Sequence, residues 1–419
     1  MILPISESDL LFDQESETSA TEDPGGVLTK NNTNRCYAGH PGITYSDIFN
    51  CTADFTEKET FHGRQVVYTH KGRSGLGLLC HHWNLQSGDE ILMPSYNCGT
   101  EIDPFVYHGL KVIFYRVDQQ AQLDLEDLQS RVTAKSRMIY VTHYFGWPHD
   151  IRYLSNYCKE NNLYLLEDCA LSIFSNPLDS LIGILGDAAI YSFPKTLPVP
   201  DGGALTLASS APPTVQLIET PHANVILKEM LPLIKRTVLR FSDKVGLYKH
   251  LPQRFIRSRA RDNGATTTSA GFPEIPQSYY FDKTIEKKSA SWITRYILNH
   301  SCPTDIVQRR RAHYAQLFEA ACNTKIFQPL FYHLPEGVCP LWLPVIVEDR
   351  EAACYGLNER GIAATQWWAG YHRAFDWSEF PEARYLKDQV LTIPIHQQLS
   401  PRDVEYICSA ILSVGNGQF

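Results

Sequence analysis

RMIYVTHYFGWPHDIRYLSNYCKENNLYLLEDCA, residues 137–170, holds two short β-rich runs on either side of an amphipathic stretch. RMIYVTH (137–143) and LYLLED (163–168) have the length and the apolar, aromatic content of buried strands, whereas IRYLSNYCKENN (151–162) spaces its apolar groups as a helix does. A strand, a helix and a strand in that order join as a crossover, so the two strands are expected to run parallel. The same alternation extends outward. RQVVYTH (64–70), DEILMPSY (89–96), KVIFYRVD (111–118) and AAIYSF (188–193) read as further strands, with GLGLLCHHWNL (75–85) as another helix. Repeated this often, the pattern specifies an α/β fold, a mostly parallel sheet with helices on both faces.

The chain has 419 residues, 43% of them hydrophobic, which suffices for two or three structural units. Residues 1–35 are acidic, Ser/Thr-rich and poor in large apolar groups, and read as a mobile arm. Residues 36–262 are assigned to a large domain, and 263–419 to a smaller C-terminal α+β domain. NGATTTSAG (263–271) has the composition of a linker. The stretch 224–262 carries apolar groups at helical spacing, many Lys and Arg, and an expected break at Pro232; its charges are read as a solvated face. Further on, IVQRRRAHYAQLFEAAC (306–322) reads as a helix, LWLPVIV (341–347) as a strand, and Ser400, Pro401 and Asp403 open a last helix.

A net charge of −8 and a pI near 6.0 argue against a nucleic-acid surface. Eleven scattered cysteines without a CxxC pair fit reduced thiols, and the fifteen histidines show no metal-ligand spacing, so no metal is expected. With neither a signal-peptide pattern nor a long apolar run, no membrane span is expected and the expected compartment is the cytoplasm.

In a doubly wound sheet, ligands gather at the carboxyl ends of the strands. Four ends stand out: Glu167 and Asp168 after LYLLED, Ser192 leading to Lys195 after AAIYSF, His143 after RMIYVTH, and KGRSG after RQVVYTH. Alternation sends Glu167 and Asp168 to opposite sides. An Asp168–Lys195 contact taken alone reads equally well as a structural ion pair. The turn at Gly72, Arg73, Ser74 and Gly75, between a strand and a helix, suits a phosphate, although it is neither a P-loop nor a dinucleotide fingerprint. A phosphate seat, an acidic strand end and a lysine in the following loop together match the needs of pyridoxal 5'-phosphate: an amine to bond the aldehyde and a carboxylate for the pyridine nitrogen.

SGDEILMPSYNCGTEIDPFVYHGLKVIFYRVD, LDLEDLQSRVTAKSRMIYVTHYFGWPHDI, LYLLEDCA and GDAAIYSFPKTLPVPDGGALTL, in that order, resemble the DegT/DnrJ/StrS-type aminotransferases over roughly residues 60–210. The resemblance implies a fold-type I transferase that binds pyridoxal phosphate and works as a homodimer. It would move an amino group from a donor, expected to be glutamate, to a keto or aldehyde acceptor, expected to be a nucleotide-linked keto-sugar. It makes Lys195 the Schiff-base lysine, Asp168 the pyridine partner, Ser192 a phosphate ligand and Gly72, Arg73 and Ser74 the phosphate turn. His143 matches a family histidine whose role, packing or catalysis, stays open. Three features depart from the pattern: Leu171 stands where a glutamine is usual, Cys98 stands where an aromatic stacks on the ring, leaving Tyr96 or Asn97 as substitutes, and the family's Gly-Asn-Arg-Met segment that reaches into the partner subunit is not evident around 275–292. The alternatives are a sugar dehydratase, whose family members carry histidine in place of the lysine, and a non-catalytic scaffold. TQWWAGYHRAFDW (365–377) either lines the acceptor pocket or packs within the smaller domain.

Overall fold

In the computed structural model, seven strands form one sheet: β1 Gln65–Thr69, β2 Glu90–Pro94, β3 Lys111–Tyr115, β4 Ser136–Thr142, β5 Tyr164–Asp168, β6 Ala188–Ser192 and β7 Gly203–Leu207. Their order is β1-β7-β6-β5-β4-β2-β3. The structure describes residues 37–49, 52–177, 182–208, 220–244, 267–268 and 271–417. The N-terminal arm, most of the 263–271 loop and the basic stretch beyond residue 244 lie outside them.

Pairings β2·β3, β2·β4, β4·β5 and β5·β6 are parallel, as the alternating pattern requires. The strand absent from that reading, β7, is antiparallel to both neighbours, β1 and β6. Residues 193–202 are too few for a helical crossover, so the chain doubles back beside β6. Register then aligns the strand ends, with Thr142 opposite Asp168, and Gly203 opposite both Thr69 and Ser192. The chemistry-bearing termini of β1, β4, β5 and β6 therefore share one edge.

Helices α1 (Gly72–His82), α2 (Asp103–Tyr107) and α3 (Arg152–Glu160) supply connections in this sheet. Helix α4 (Ala223–Lys244) runs through Pro232, so the expected break does not occur. Proline removes a single N–H from the ladder, and the burial of Leu233 and Leu239 beyond it holds the helix in register.

A second sheet, all antiparallel, has the order β10-β11-β9-β8, from β8 (Gln328–Pro329), β9 (Leu343–Ile346), β10 (Thr365–Gln366) and β11 (Val390–Ile393). Helix α5 (Trp292–Asn299) precedes it in the chain, and Ile297 and Leu298 of that helix share a core with Phe61, Tyr191 and Phe193 of the first sheet's surroundings. Helices α6 (Pro303–Cys322) and α7 (Pro401–Gly415) accompany the second sheet, and the reciprocal Ser400–Asp403 capping box starts α7 as its sequence indicates. One apolar cluster includes Leu92, Ile139 and Leu166 of the first sheet with Leu343, Leu391 and Ile407 beside the second. That continuity fixes the second sheet relative to the strand ends.

Candidate active site

The two carboxylates ending β5 leave the sheet on opposite sides, as the two-residue period of a strand demands. Glu167 is wholly buried and accepts backbone N–H groups from Gly183 at 2.7 Å and Gly186 at 2.6 Å. Its third partner is His143 Nε2 at 2.9 Å. The His149 N–H donates to His143 Nδ1 at 3.1 Å, which leaves the ring proton on Nε2, aimed at Glu167. His143 thus belongs to a structural knot. It does not line the cavity described next.

Asp168 faces the other way. Its Oδ1 accepts the Ala170 N–H at 2.9 Å and its Oδ2 the Tyr140 hydroxyl at 2.8 Å. Burial pushes this carboxyl above the usual range; the charge of Lys195 opposes that, Glu101 adds to it, and the two donors oppose it again. Asp168 and Lys195 open on one cavity of about 370 Å³, together with Ser192, Gly72, Arg73 and Cys98. Sites for small cofactors typically begin at roughly this size.

Glycines shape one wall. A Cβ on Gly72 would stand 3.1 Å from the Tyr191 carbonyl, and a Cβ on Gly203 only 2.7 Å from the Gly72 nitrogen. Their bare backbones let the start of α1 lie on the ends of β6 and β7. Lys71, the N-cap of α1, makes no side-chain cap, so the first N–H groups of that helix meet the cavity without a capping acceptor. This is a cradle suited to a phosphate. Ser74, expected in that cradle, instead turns its hydroxyl to the Ile285 carbonyl at 3.0 Å, because the helical rotation carries it away from the cavity. Arg73 donates to the carbonyls of Tyr279 at 2.7 Å and Ser278 at 3.2 Å, tying that segment across the site, while its buried Nε has no hydrogen-bond partner.

The departures from the family pattern have structural answers. Cys98 lines the cavity, with its thiol donating to Glu101 at 2.7 Å; burial, then Glu101, pushes the thiol up to about 12 and keeps it neutral. Tyr96 is fully buried behind the wall, between Tyr144 and Trp368, and does not reach the cavity. Asn97 is likewise occupied, its amide donating to the Pro94 and Ser95 carbonyls. The aromatic surface comes from Trp368, Tyr279 and Tyr140. Trp368 has φ +51, a left-handed conformation uncommon for a bulky residue, and its carbonyl accepts from the buried Lys387 ammonium at 3.2 Å. The 365–377 cluster therefore divides, with Trp368 on the cavity and Trp377 in the core. Leu171 is buried outside the cavity, whose wall at that point is Ala170.

Glu101, Tyr140, Ser278, Tyr279 and Trp368 are cavity residues that the strand-end reading missed. Tyr140 carried a usable signal, since an aromatic hydroxyl with the same strand parity as Thr142 must face the side that Asp168 faces. Nothing local marks residues 278 and 279.

This geometry, a lysine after β6 and an aspartate after β5 at a helix-capped cavity, accords with the comparisons to known proteins. Residues 53–214 match the model of the DegT/DnrJ/EryC1/StrS aminotransferase family. A GDP-perosamine synthase of Vibrio cholerae is 29% identical over 141 residues, 33% of this chain and 36% of that protein. A dTDP-3-amino-3,6-dideoxy-alpha-D-galactopyranose transaminase of Aneurinibacillus thermoaerophilus is 24% identical over 357 residues, 82% of this chain and 84% of that one. The chain matches only 36% to 41% of the length of three of the curated relatives. Among solved structures, a putative sugar aminotransferase of Streptococcus pneumoniae in its PMP form superposes with a TM-score of 0.62 at 16% identity, covering 91% of this chain and 97% of the other. The likeness in fold thus extends from the first sheet through the second. Among the described residues, no helix is long and apolar enough to cross a membrane.

Proposed function

We propose that this chain is a pyridoxal-phosphate-dependent aminotransferase of the DegT/DnrJ/EryC1/StrS family that takes an amino group from glutamate and delivers it to a nucleotide-linked keto-sugar. The observation that carries this reading is the joint opening of Lys195, Asp168 and the uncapped helix start at Gly72–Arg73 on one cavity.

The residues present fit the cofactor. The helix start and Ser192 would hold its phosphate, Asp168 its pyridine nitrogen, and Lys195 would be its covalent anchor. When bound, pyridoxal phosphate supplies an aldehyde that carries the amino group and a ring that takes up electron density from the substrate's α-carbon. Asp168, oriented by Tyr140 and Ala170, would keep the ring nitrogen protonated. The Lys195 amine would serve as the base that takes a proton from the donor's α-carbon and the acid that returns one on the acceptor side. Leu76, Ile190 and Trp368 exclude water around these groups. Lys195 also weighs against the dehydratase alternative, whose members carry histidine there. A homodimer is part of the proposal, as sedimentation of the purified chain would check.

The test is borohydride reduction of the chain incubated with pyridoxal phosphate, followed by peptide mapping. The reduced cofactor is expected on Lys195, and glutamate added before reduction should release it with a change in visible absorbance. A label on any other lysine, or no spectral response to any amino donor, overturns the reading.

A further inference from the structure

A cluster that plays no part in the site described above brings three side chains of metal-binding type to one point. Glu286, at the end of the 3-10 turn Lys283–Ile285, is 2% exposed. Its Oε1 meets His81 Nε2 at 2.9 Å and His108 Nε2 at 3.1 Å. Three separate elements contribute: His81 lies in the last turn of α1, His108 caps the C-terminus of α2, and Glu286 comes from the segment that also supplies Tyr279 to the cavity. The room for the carboxylate exists because residue 77 is glycine, where a Cβ would stand 3.0 Å from Glu286 Cγ and Oε1. The Ser74 hydroxyl, bonded to the Ile285 carbonyl, pins the same turn.

We propose that His81, His108 and Glu286 bind a divalent first-row transition cation of the zinc type. Both imidazoles present the same nitrogen, Nε2, to the same carboxylate oxygen, and the three donor atoms lie within 4.8 Å of one another. With metal–ligand bonds of about 2.0–2.2 Å, a cation occupies the centre of this triangle after small outward shifts of the rings. Two imidazoles and one carboxylate form a donor set that favours zinc and its neighbours, whereas magnesium and calcium prefer oxygen. The His81 side chain, 53% exposed, leaves a route from solvent and room for water at the remaining coordination position.

The other two groupings of this kind among the described residues lack that convergence. His70 turns Nδ1 toward Asp201 and Nε2 toward Glu229, each at 3.7 Å, so its two carboxylates face opposite ring nitrogens. In the His143–Glu167–Cys169 group, Glu167 already accepts three hydrogen bonds. A cation at Glu286 would fasten the 278–286 segment to α1, adding a crosslink next to the cavity without touching Lys195 or Asp168.

The full chain, stripped of metal with a chelator, should bind a single equivalent of Zn²⁺ by calorimetry and gain thermal stability, and Mg²⁺ should do neither. Co²⁺ should give weak visible bands without the intense near-ultraviolet band of a cobalt–thiolate bond, which separates this site from the cysteines. His81→Ala, at an exposed position that leaves folding intact by circular dichroism, should weaken Zn²⁺ binding by at least the 10–100-fold that loss of even an outer-shell partner causes; His108→Gln should do the same. Absence of Zn²⁺ binding, a thiolate band with Co²⁺, or unchanged affinity in both variants overturns the proposal.

Discussion

Glu167 and Asp168 are neighbours in the chain and equally hidden from solvent, yet their surroundings are opposites. Glu167 is saturated by two backbone N–H groups and an imidazole N–H, with nothing left to offer a ligand. Asp168 receives one donor on each oxygen and keeps its remaining capacity toward a cavity that Lys195 shares. A buried carboxylate whose acceptor sites are filled by the protein stabilises the fold; one held in place but only partly satisfied can act on something that enters. The comparison therefore supports a structural role at position 167 and the proposed chemical role at position 168.

The largest effect that would break this contrast concerns Glu167. Glu167→Gln replaces an acceptor oxygen with an amide that donates, set against three donors, and should lower stability by about 1–3 kcal/mol, the range for leaving a buried polar group unsatisfied. Denaturant unfolding measures this; a loss below about 1 kcal/mol would mean the knot is not structural. Asp168→Asn should do the reverse. Its remaining oxygen still accepts from Ala170, so stability should change by about 1 kcal/mol or less, while the glutamate half-reaction slows by roughly 10²-fold. Equal loss of stability in both variants would erase the distinction.

A smaller effect comes from the backing of the knot. His149, whose N–H fixes the His143 tautomer, is half-buried, and loss of water around its ring, then the proximity of His143, pushes its imidazole down to about 3, opposed by a backbone hydrogen bond at Thr142. Because the folded value lies below the ordinary 6.5, the unfolded chain takes up the proton first, so the stability is complete above about pH 6.5 and is lost as pH falls toward 3. At pH 5 the loss from this group should be on the order of 2 kcal/mol. Melting temperature followed from pH 7 to pH 5 should show it, and His149→Asn should flatten the slope; an identical slope in that variant would place the acid sensitivity elsewhere.

Much of this arrangement was legible before any coordinates. Strand-helix alternation specified parallel pairing, and period two in β5 separated Glu167 from Asp168. Glycine after β1 marked the helix start, and the lysine after β6 stood where ligands collect. The misses share a cause. β7 was absent from the reading because GALTL follows a Pro/Gly-rich loop and has no helix before it. Ser74 was placed in the phosphate turn from its neighbours in sequence, but helical rotation decides which of three consecutive residues faces the cavity. Trp368 could not be told from Trp367 or Trp377, since all three have the same local character.

By itself the sequence determined what depends on nearest neighbours along the chain: element types, strand parity, the handed crossovers, and hence that Lys195, Asp168 and Gly72 end at one edge. Only the tertiary structure decided what depends on residues distant in sequence. It brought Tyr279 and Trp368 to the cavity, turned His143 to Glu167, and gathered His81, His108 and Glu286. The physical reason is that backbone periodicity is a local property, whereas the partner of a buried polar group is chosen by packing among elements whose separation in sequence carries no signal.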